Sequence, residues 1–284
     1  MTSKWIPDSW QEATQPSDVK RYALIELASL PPQARTDLFD TFRADSHFWP
    51  LIDDNTQPHL QREGPWLLAV SDVRLSAWRN LESIHCALHA WIESELVGEQ
   101  LAAQFAPAMV VENAAGKRSL LRFYLPEIIE QLHAEASDEC RSGLFGGINR
   151  WWYRAGDKEW TALKGVTIQD SPGPWELKVS DELWVTLHGD AEVMGLTAEL
   201  IENTPDLFNN ICPCERPRLI GQVLEKADSY GLTRTSDRRT FAYLQLSQGD
   251  IFWESEEIRP LLAQAARGET SLLELLEKTY GEPT

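Results

Sequence analysis

Two short apolar runs near the N-terminus constrain the fold more than any other feature of the sequence. Residues 22–27 read Tyr-Ala-Leu-Ile-Glu-Leu, and residues 66–70 read Trp-Leu-Leu-Ala-Val. Runs of this length are typical of strands, and a strand that is apolar at nearly every residue is buried on both faces. Pro31 and Pro32 end the first run, and Pro32 suits the first turn of a helix. The sequence therefore predicts a sheet with other elements packed on both of its faces.

Strand and helix patterns continue to residue 165. Two hairpins are predicted, one within residues 109–124 and one within residues 148–163, and Pro126 is predicted to begin a helix between them. Residues 76–96 are predicted to form one helix because their apolar side chains recur at helical spacing: Trp78, Leu81, Ile84, Leu88 and Ile92. A strand followed by a helix, twice over, favours a mixed α/β lobe over residues 20–165.

The remaining segments complete the predicted domain organisation. Residues 1–19 are polar and interrupted by proline, and are predicted to be a loose lead-in. Glycines and prolines within residues 165–175 predict the boundary between two lobes. Residues 176–284 show helical patterns, with a helix predicted to end at Gly231 and a capping box at Ser271 and Glu274. The predicted fold class is α+β or α/β: an N-terminal mixed lobe followed by a smaller all-helical C-terminal lobe.

Charge and hydropathy narrow the expected partners and compartment. The formal net charge is −18, and a surface this negative repels nucleic acid and anionic membranes. No run approaches the roughly 18 apolar residues that cross a bilayer. The N-terminal residues lack the basic and apolar pattern of a secretory signal. The cytoplasm is the expected compartment, with no nucleic-acid partner and no membrane insertion.

Metal and cofactor motifs are weak in this sequence. His85 and His89 are four residues apart on a predicted helix, a spacing that can serve one metal, but His85 falls on the apolar side and is interpreted as a partly buried side chain. Cys212-Pro-Cys214 lacks companion ligands, so two partly buried thiols are expected there. Phosphate-loop and nucleophile-elbow motifs are not found. We therefore expect no metal, no cofactor and no catalytic activity.

The order of several short motifs resembles a known family. The Tyr22 strand and the Trp66 strand are followed by the step Arg122-Phe-Tyr-Leu-Pro126, and then by Phe145-Gly-Gly-Ile148 leading into Trp151-Trp152. This succession, over about residues 20–165, resembles the domain of the type VI secretion effector chaperones, also called VgrG–effector adaptors. Leu125 stands where the family usually has aspartate, and Gly147 where it often has proline. The helical lobe is similar to the tail that many members carry.

The resemblance implies an adaptor that binds a secreted effector protein and the VgrG spike protein and brings them together before secretion. Two other interpretations of the sequence remain open. One is an enzyme whose scattered site no motif reveals, and the other is an acidic immunity or regulatory protein that binds a toxin. The position of the gene relative to spike and toxin genes would separate the three.

Four residues are predicted to contact a partner. Trp151 and Trp152 are neighbours on a predicted strand, so their side chains point to opposite faces and one of them must face solvent or another element. Arg122 and Tyr124 are two apart on another predicted strand and would share a face. If these strands are neighbours, an Arg-Tyr-Trp patch results, and these residue types dominate interface hot spots. The alternative is that the outward tryptophan packs under the helical lobe.

Overall fold

The computed structural model divides the chain into two compact units, Met1–Leu187 and His188–Thr284. It describes residues 6–7, 18–43, 47–52, 58–71, 74–75, 78, 84–154, 159–167, 174–209 and 211–281. Almost all of the predicted lead-in, residues 1–19, lies outside this part of the chain, as do most residues of the predicted boundary segment.

The first unit is built on antiparallel strands. The strands are β1 (Lys20–Glu26), β2 (Phe48–Pro50), β3 (Pro65–Ala69), β4 (Leu88–Ser94), β5 (Val110–Asn113), β6 (Arg118–Leu120), β7 (Ile148–Tyr153), β8 (Thr161–Lys164) and β9 (Leu177–Val179). A six-stranded sheet has the order β2-β3-β1-β4-β7-β8, and each pair of neighbours in it is antiparallel. The two predicted apolar strands are confirmed as β1 and β3, and the second predicted hairpin is confirmed as β7–β8.

Helices of the first unit lie between and after these strands. They are α1 (Pro32–Arg43), α2 (Pro58–Glu63), α3 (Ile84–Ala87), α4 (Gly98–Phe105), α5 (Pro126–Glu135), α6 (Asp138–Phe145) and α7 (Asp181–His188). The helix starts predicted at Pro32 and Pro126 are confirmed. Leu125 precedes α5 as its N-cap and makes no side-chain capping hydrogen bond, as expected for a position that has lost aspartate.

Both faces of the six-stranded sheet are buried along its central strands β3, β1 and β4, as the apolar strands predict, whereas the edge strand β8 is largely exposed. Side chains alternate between the faces along each strand. On one face Leu24, Ile92 and Trp151 join a core with α4, α5 and α6. On the other face Ile25 and Trp91 join a second core. The sheet is therefore a layer between two hydrophobic cores.

The predicted helix over residues 76–96 is wrong in its second half. Residues 88–94 form β4, a central strand that pairs with β1 on one side and β7 on the other. The run Ala87-Leu-His-Ala-Trp-Ile92 is apolar at nearly every position, so it satisfies a helical period and a fully buried strand equally well. Long-range pairing decided between them, because the strand satisfies its backbone groups on both edges. Most of residues 76–83 lie outside the described residues.

The unit boundary lies further along the chain than the sequence indicates. A three-stranded sheet has the order β6-β5-β9, in which β5 pairs antiparallel with β6 and parallel with β9. Leu177, Leu183, Trp184 and Leu187 belong to the same core as β1. Residues 176–187, which the sequence assigns to the helical lobe, are therefore part of the first unit, and the predicted boundary at residues 165–175 is corrected to follow Leu187.

The second unit is helical over its described residues. Its helices are α8 (Ala191–Asn203), α9 (Arg216–Ser229), α10 (Thr235–Gln248), α11 (Asp250–Glu254), α12 (Ile258–Ala266) and α13 (Leu272–Tyr280). Its own core contains Phe241 and Trp253, whose rings stack at 4.4 Å. The capping box of Ser271 and Glu274 and the positive φ of Gly231 after α9 are as predicted. The predicted fold class, a mixed lobe followed by a helical one, is confirmed.

Among the described residues, no helix combines the length and the apolar character needed to cross a bilayer.

Candidate functional site

The predicted site residues Arg122 and Tyr124 lie on a turn. The strand β6 ends at Leu120, and the turn that follows is closed by the Leu125 backbone N–H, which donates to the Arg122 carbonyl at 3.1 Å. Arg122 is exposed and the Tyr124 side chain is fully buried. The expectation that these two side chains share one strand face is therefore wrong, because the strand stops before them.

Trp151 is a residue of the core. Its side chain is fully buried on β7, and its ring centroid lies 5.4 Å from that of Phe105, 6.1 Å from Phe123 and 6.3 Å from Phe145. These partners come from α4, the turn before α5, and α6. Trp151 thus holds several elements of the first unit against the sheet, and no part of it is available to a partner in this structure.

Trp152 points to the opposite face of the sheet and is half-buried. It lies across from Trp91 on β4 and Ala162 on β8, and the Arg150 guanidinium stands 5.7 Å from its ring centroid. The predicted alternation of the tryptophan pair is confirmed. The predicted single patch of Arg122, Tyr124, Trp151 and Trp152 is not formed, since two members are buried and the strands that were to carry them are not neighbours.

A buried carboxylate lies beneath the Arg122 turn. Glu26 at the end of β1 accepts from Arg122 Nη2 at 2.7 Å, and His89 Nε2 lies 3.4 Å from its other oxygen. The Ser29 hydroxyl donates to Glu26 Oε2 at 3.2 Å. The Tyr124 ring packs against that of His89 in a tilted arrangement, with centroids 5.0 Å apart and an interplanar angle of 44°. We call these residues the Glu26 cluster: Glu26, Ser29, His89, Arg122 and Tyr124.

Glu26 stays ionised although its side chain is buried. Burial raises the pKa of this carboxyl, but the hydrogen bond and charge of His89, the charge of Arg122 and a hydrogen bond from Tyr124 outweigh it. The net pKa of Glu26 therefore lies below its usual value. A buried charge requires such partners, and the cluster joins β1, β4 and the Arg122 turn through them.

Local structure brings the cluster together. The pairing of β1 with β4 shifts register between Leu24 and Ile25, so Ile25 lies across from Leu88 rather than His89. His89 is buried on β4, whereas His85 is exposed on α3. The two histidines therefore sit on different elements, and the helical spacing considered for them does not apply. His85, expected to be partly buried on an apolar helix face, is exposed.

Sequence reasoning did not identify Glu26 and Ser29 as site residues. A signal was present, because Glu26 is the one side chain in the run Tyr22–Leu27 that is charged at neutral pH. A charge inside a strand that is buried on both faces needs a partner from elsewhere in the chain. The identity of that partner depends on a turn distant in sequence, which no local pattern reveals.

The Glu26 cluster presents a fixed cation at the surface. One nitrogen of the Arg122 guanidinium is bound to Glu26, and the side chain remains 47% exposed. A guanidinium has five N–H donors, and those not used by Glu26 can bind a carboxylate or a backbone carbonyl of another molecule. Because Glu26 holds the side chain in one orientation, a partner would lose less conformational entropy in binding it.

We expect the stability of the protein to depend on Glu26 at acid pH. A carboxyl whose folded pKa is lowered contributes stability above its unfolded pKa of about 4.3, and this contribution is lost as pH falls through the folded pKa. Glu26→Gln should lower the free energy of unfolding by about 2 kcal/mol at neutral pH, the value typical of hydrogen bonds to charged groups. Urea unfolding between pH 7 and acid pH measures both effects.

The matched control is Glu63→Gln, an exposed carboxylate of the same unit that pairs with Arg35. It should cost under about 1 kcal/mol, as exposed ion pairs do. A Glu26→Gln protein whose pH dependence equals that of the wild type would show that Glu26 is not the group that links stability to pH.

The comparisons with known proteins give one match. Residues 21–142 match the family model described as a domain of unknown function, DUF4123. This domain is known in type VI secretion effector adaptor and chaperone proteins. The matched span begins in β1, ends within α6 and contains every member of the Glu26 cluster. Comparison of the chain with curated proteins and with solved structures gave no match.

Proposed function

We propose that this protein is a non-catalytic adaptor that binds a type VI secretion effector and helps to load it onto the VgrG spike. The observation that carries the proposal is the match of residues 21–142 to DUF4123, a domain known in adaptors of this class. The ordered motifs of the sequence also support it, and those at Phe145–Ile148 and Trp151-Trp152 lie past the matched span. An adaptor of this kind acts in the cytoplasm before secretion.

The departures from the family motifs affect structure and leave the proposed role intact. Gly147 has a φ of +66°, and its backbone N–H donates to the Val166 carbonyl at 3.0 Å. Proline cannot adopt that φ, and it has no backbone N–H to donate in that hydrogen bond. The loop between α6 and β7 therefore has a backbone path here that a proline-containing relative cannot share. Leu125 lacks the capping oxygen of an aspartate and should weaken the start of α5 by about 1 kcal/mol, but the change removes no catalytic group.

The proposal predicts recovery of two specific partners. Tagged protein, co-expressed with the VgrG and effector encoded beside its gene, should retain both through gentle purification. It should leave both chemically unchanged, as mass spectrometry of the recovered partners would show. The control is the same tag on an unrelated acidic protein of similar size, which tests whether charge alone retains the partners.

Three outcomes would separate the competing interpretations. Recovery of neither partner contradicts the adaptor role. Recovery of the effector with loss of its toxicity, and without the spike, favours an immunity protein. A covalent change in either partner that depends on this protein favours an enzyme.

A further inference from the structure

We propose that the outer face of β7 and β8 is a docking surface for an acidic segment of a protein partner. The surface consists of Arg150, Trp152, Arg154, Trp160 and Lys164, and we call it the β7–β8 basic surface. This proposal rests on the proposed function only because it takes the partner to be a protein.

Strand geometry places these side chains together. Arg150, Trp152 and Arg154 alternate with the buried Trp151 and Tyr153, so they share the face opposite to that core. Lys164 lies directly across from Arg150 in the β7–β8 register. The Arg150 guanidinium lies 5.7 Å from the Trp152 ring centroid and that of Arg154 lies 5.6 Å from the Trp160 ring centroid. Two arginine–tryptophan pairs and a lysine thus form one continuous surface.

Within the part of the chain that the structure describes, the cations of this surface have no acidic partner. Glu93 lies across from Arg150 on β4, but its carboxylate binds Arg21 Nε at 3.3 Å. Among the described residues, no carboxylate lies within ion-pair distance of Arg150, Arg154 or Lys164. Many other cations of the chain are paired with an acid: Arg21, Arg35, Arg141, Lys178, Lys226, Arg234, Arg238 and Arg239. In a chain of net charge −18, unpaired cations grouped in one place call for an acidic ligand.

A partner can reach the β7–β8 basic surface, because two of its cations are exposed and a cleft opens beside them. Arg150 and Lys164 are exposed, and Trp152 and Trp160 are half-buried at the margin of the second core. A cleft of about 420 Å³ opens beside Arg150 and Lys164, and Leu96, Ile148 and one acidic residue, Glu95, also line it. A ligand with carboxylates for the cations and apolar side chains for the tryptophans and the cleft would match this chemistry. An acidic polypeptide segment that also carries apolar residues has both.

Nucleic acid also combines negative charge with flat rings that stack on tryptophan. The net charge of −18 opposes its approach, because the field of the whole chain acts on a polyanion over a longer distance than a local surface does. A short acidic segment carries less charge and meets less repulsion. We therefore favour the polypeptide and treat nucleic acid as an outcome of the test.

The test uses the full chain, with Arg150→Glu and Lys164→Glu combined in one variant. The control variant combines Arg259→Glu and Arg267→Glu, which are exposed cations of the second unit and change the net charge equally. Fluorescence anisotropy measures binding of a labelled peptide in which glutamate alternates with serine and leucine. The first variant should weaken binding at least about tenfold, in line with hot-spot residues, and the control should leave it unchanged. Thermal melts of both variants should match the wild type.

Several results would overturn the proposal. The control variant could weaken binding as much as the first variant, or single-stranded DNA could bind the wild type more tightly than the peptide. A wild-type dimer in sedimentation that the first variant abolishes would assign the surface to a second copy of the chain. Co-purification separates this proposal from the adaptor role. Equal recovery of VgrG and effector by wild type and first variant refutes the docking surface alone, whereas recovery of neither by the wild type refutes the adaptor role.

Discussion

Replacement of Trp151 with alanine is expected to lower the free energy of unfolding by about 4 kcal/mol, within the range for large aromatic residues in cores. The side chain is fully buried and packs against Phe105, Phe123 and Phe145. Alanine would leave a cavity among rings that come from three separate segments, and these cannot all close on it. Urea unfolding followed by circular dichroism measures the loss.

Trp152→Ala is the matched control, because the two tryptophans are adjacent on the same strand. Trp152 is half-buried and lies at the margin of its core, so its replacement should cost under about 2 kcal/mol. If Trp152 contacts a partner through the β7–β8 basic surface, this variant should lose binding while remaining folded. Equal destabilisation by the two substitutions would contradict the assignment of Trp151 to the core and Trp152 to the surface.

Replacement of Gly165 with alanine is expected to cost about 3 kcal/mol or more. A Cβ at this position would lie 1.8 Å from the Ile148 carbonyl oxygen and 2.8 Å from the Phe145 carbonyl oxygen. Both are backbone atoms at the junction of α6 and β7, so the clash cannot be relieved by rotating a side chain. The end of β8 would have to move away from β7. Thermal unfolding of the purified variant measures the effect.

Gly195→Ala tests whether the effect is specific to that close approach. Gly195 lies in α8, and a Cβ there meets no atom within 4 Å. Alanine has a higher helix propensity than glycine, so this variant should gain up to about 1 kcal/mol. A Gly165→Ala protein as stable as the wild type would mean that the chain between α6 and β8 takes another path.

Local sequence patterns predicted the helices and strands whose residues fit only one type of secondary structure. The strands β1 and β3, the β7–β8 hairpin and the helix at Pro126 were all found from apolar runs and turn residues. The first hairpin was found only in part, because its second strand, β6, ends at Leu120, before Arg122 and Tyr124. Residues 88–94 were missed because an apolar run fits both periods, and only pairing with β1 and β7 distinguishes them. Gly165 was taken as part of a linker, whereas it is a point of close backbone contact. Glycine has both uses, and composition does not separate them.

The candidate site could also be predicted only in part, because local pattern does not show which distant segments come together. Trp151 and Trp152 were correctly placed on opposite faces, since alternation is a property of the strand itself. Arg122 and Tyr124 were assigned to a strand that ends before them. The ion pair of Arg122 with Glu26 joins residues that are far apart in the chain, and it follows from the tertiary fold rather than from either segment.

The parallel pairing of β5 with β9 has a consequence for how the protein is made. During synthesis β5 and β6 leave the ribosome long before residues 177–179 exist, so one edge of β5 has no partner until β9 arrives. An unpaired strand edge can be extended by another chain, and partly made proteins aggregate by this route. The half-synthesised chain is thus open to misassembly at this edge, and a chain that ended between β6 and β9 could not complete its smaller sheet.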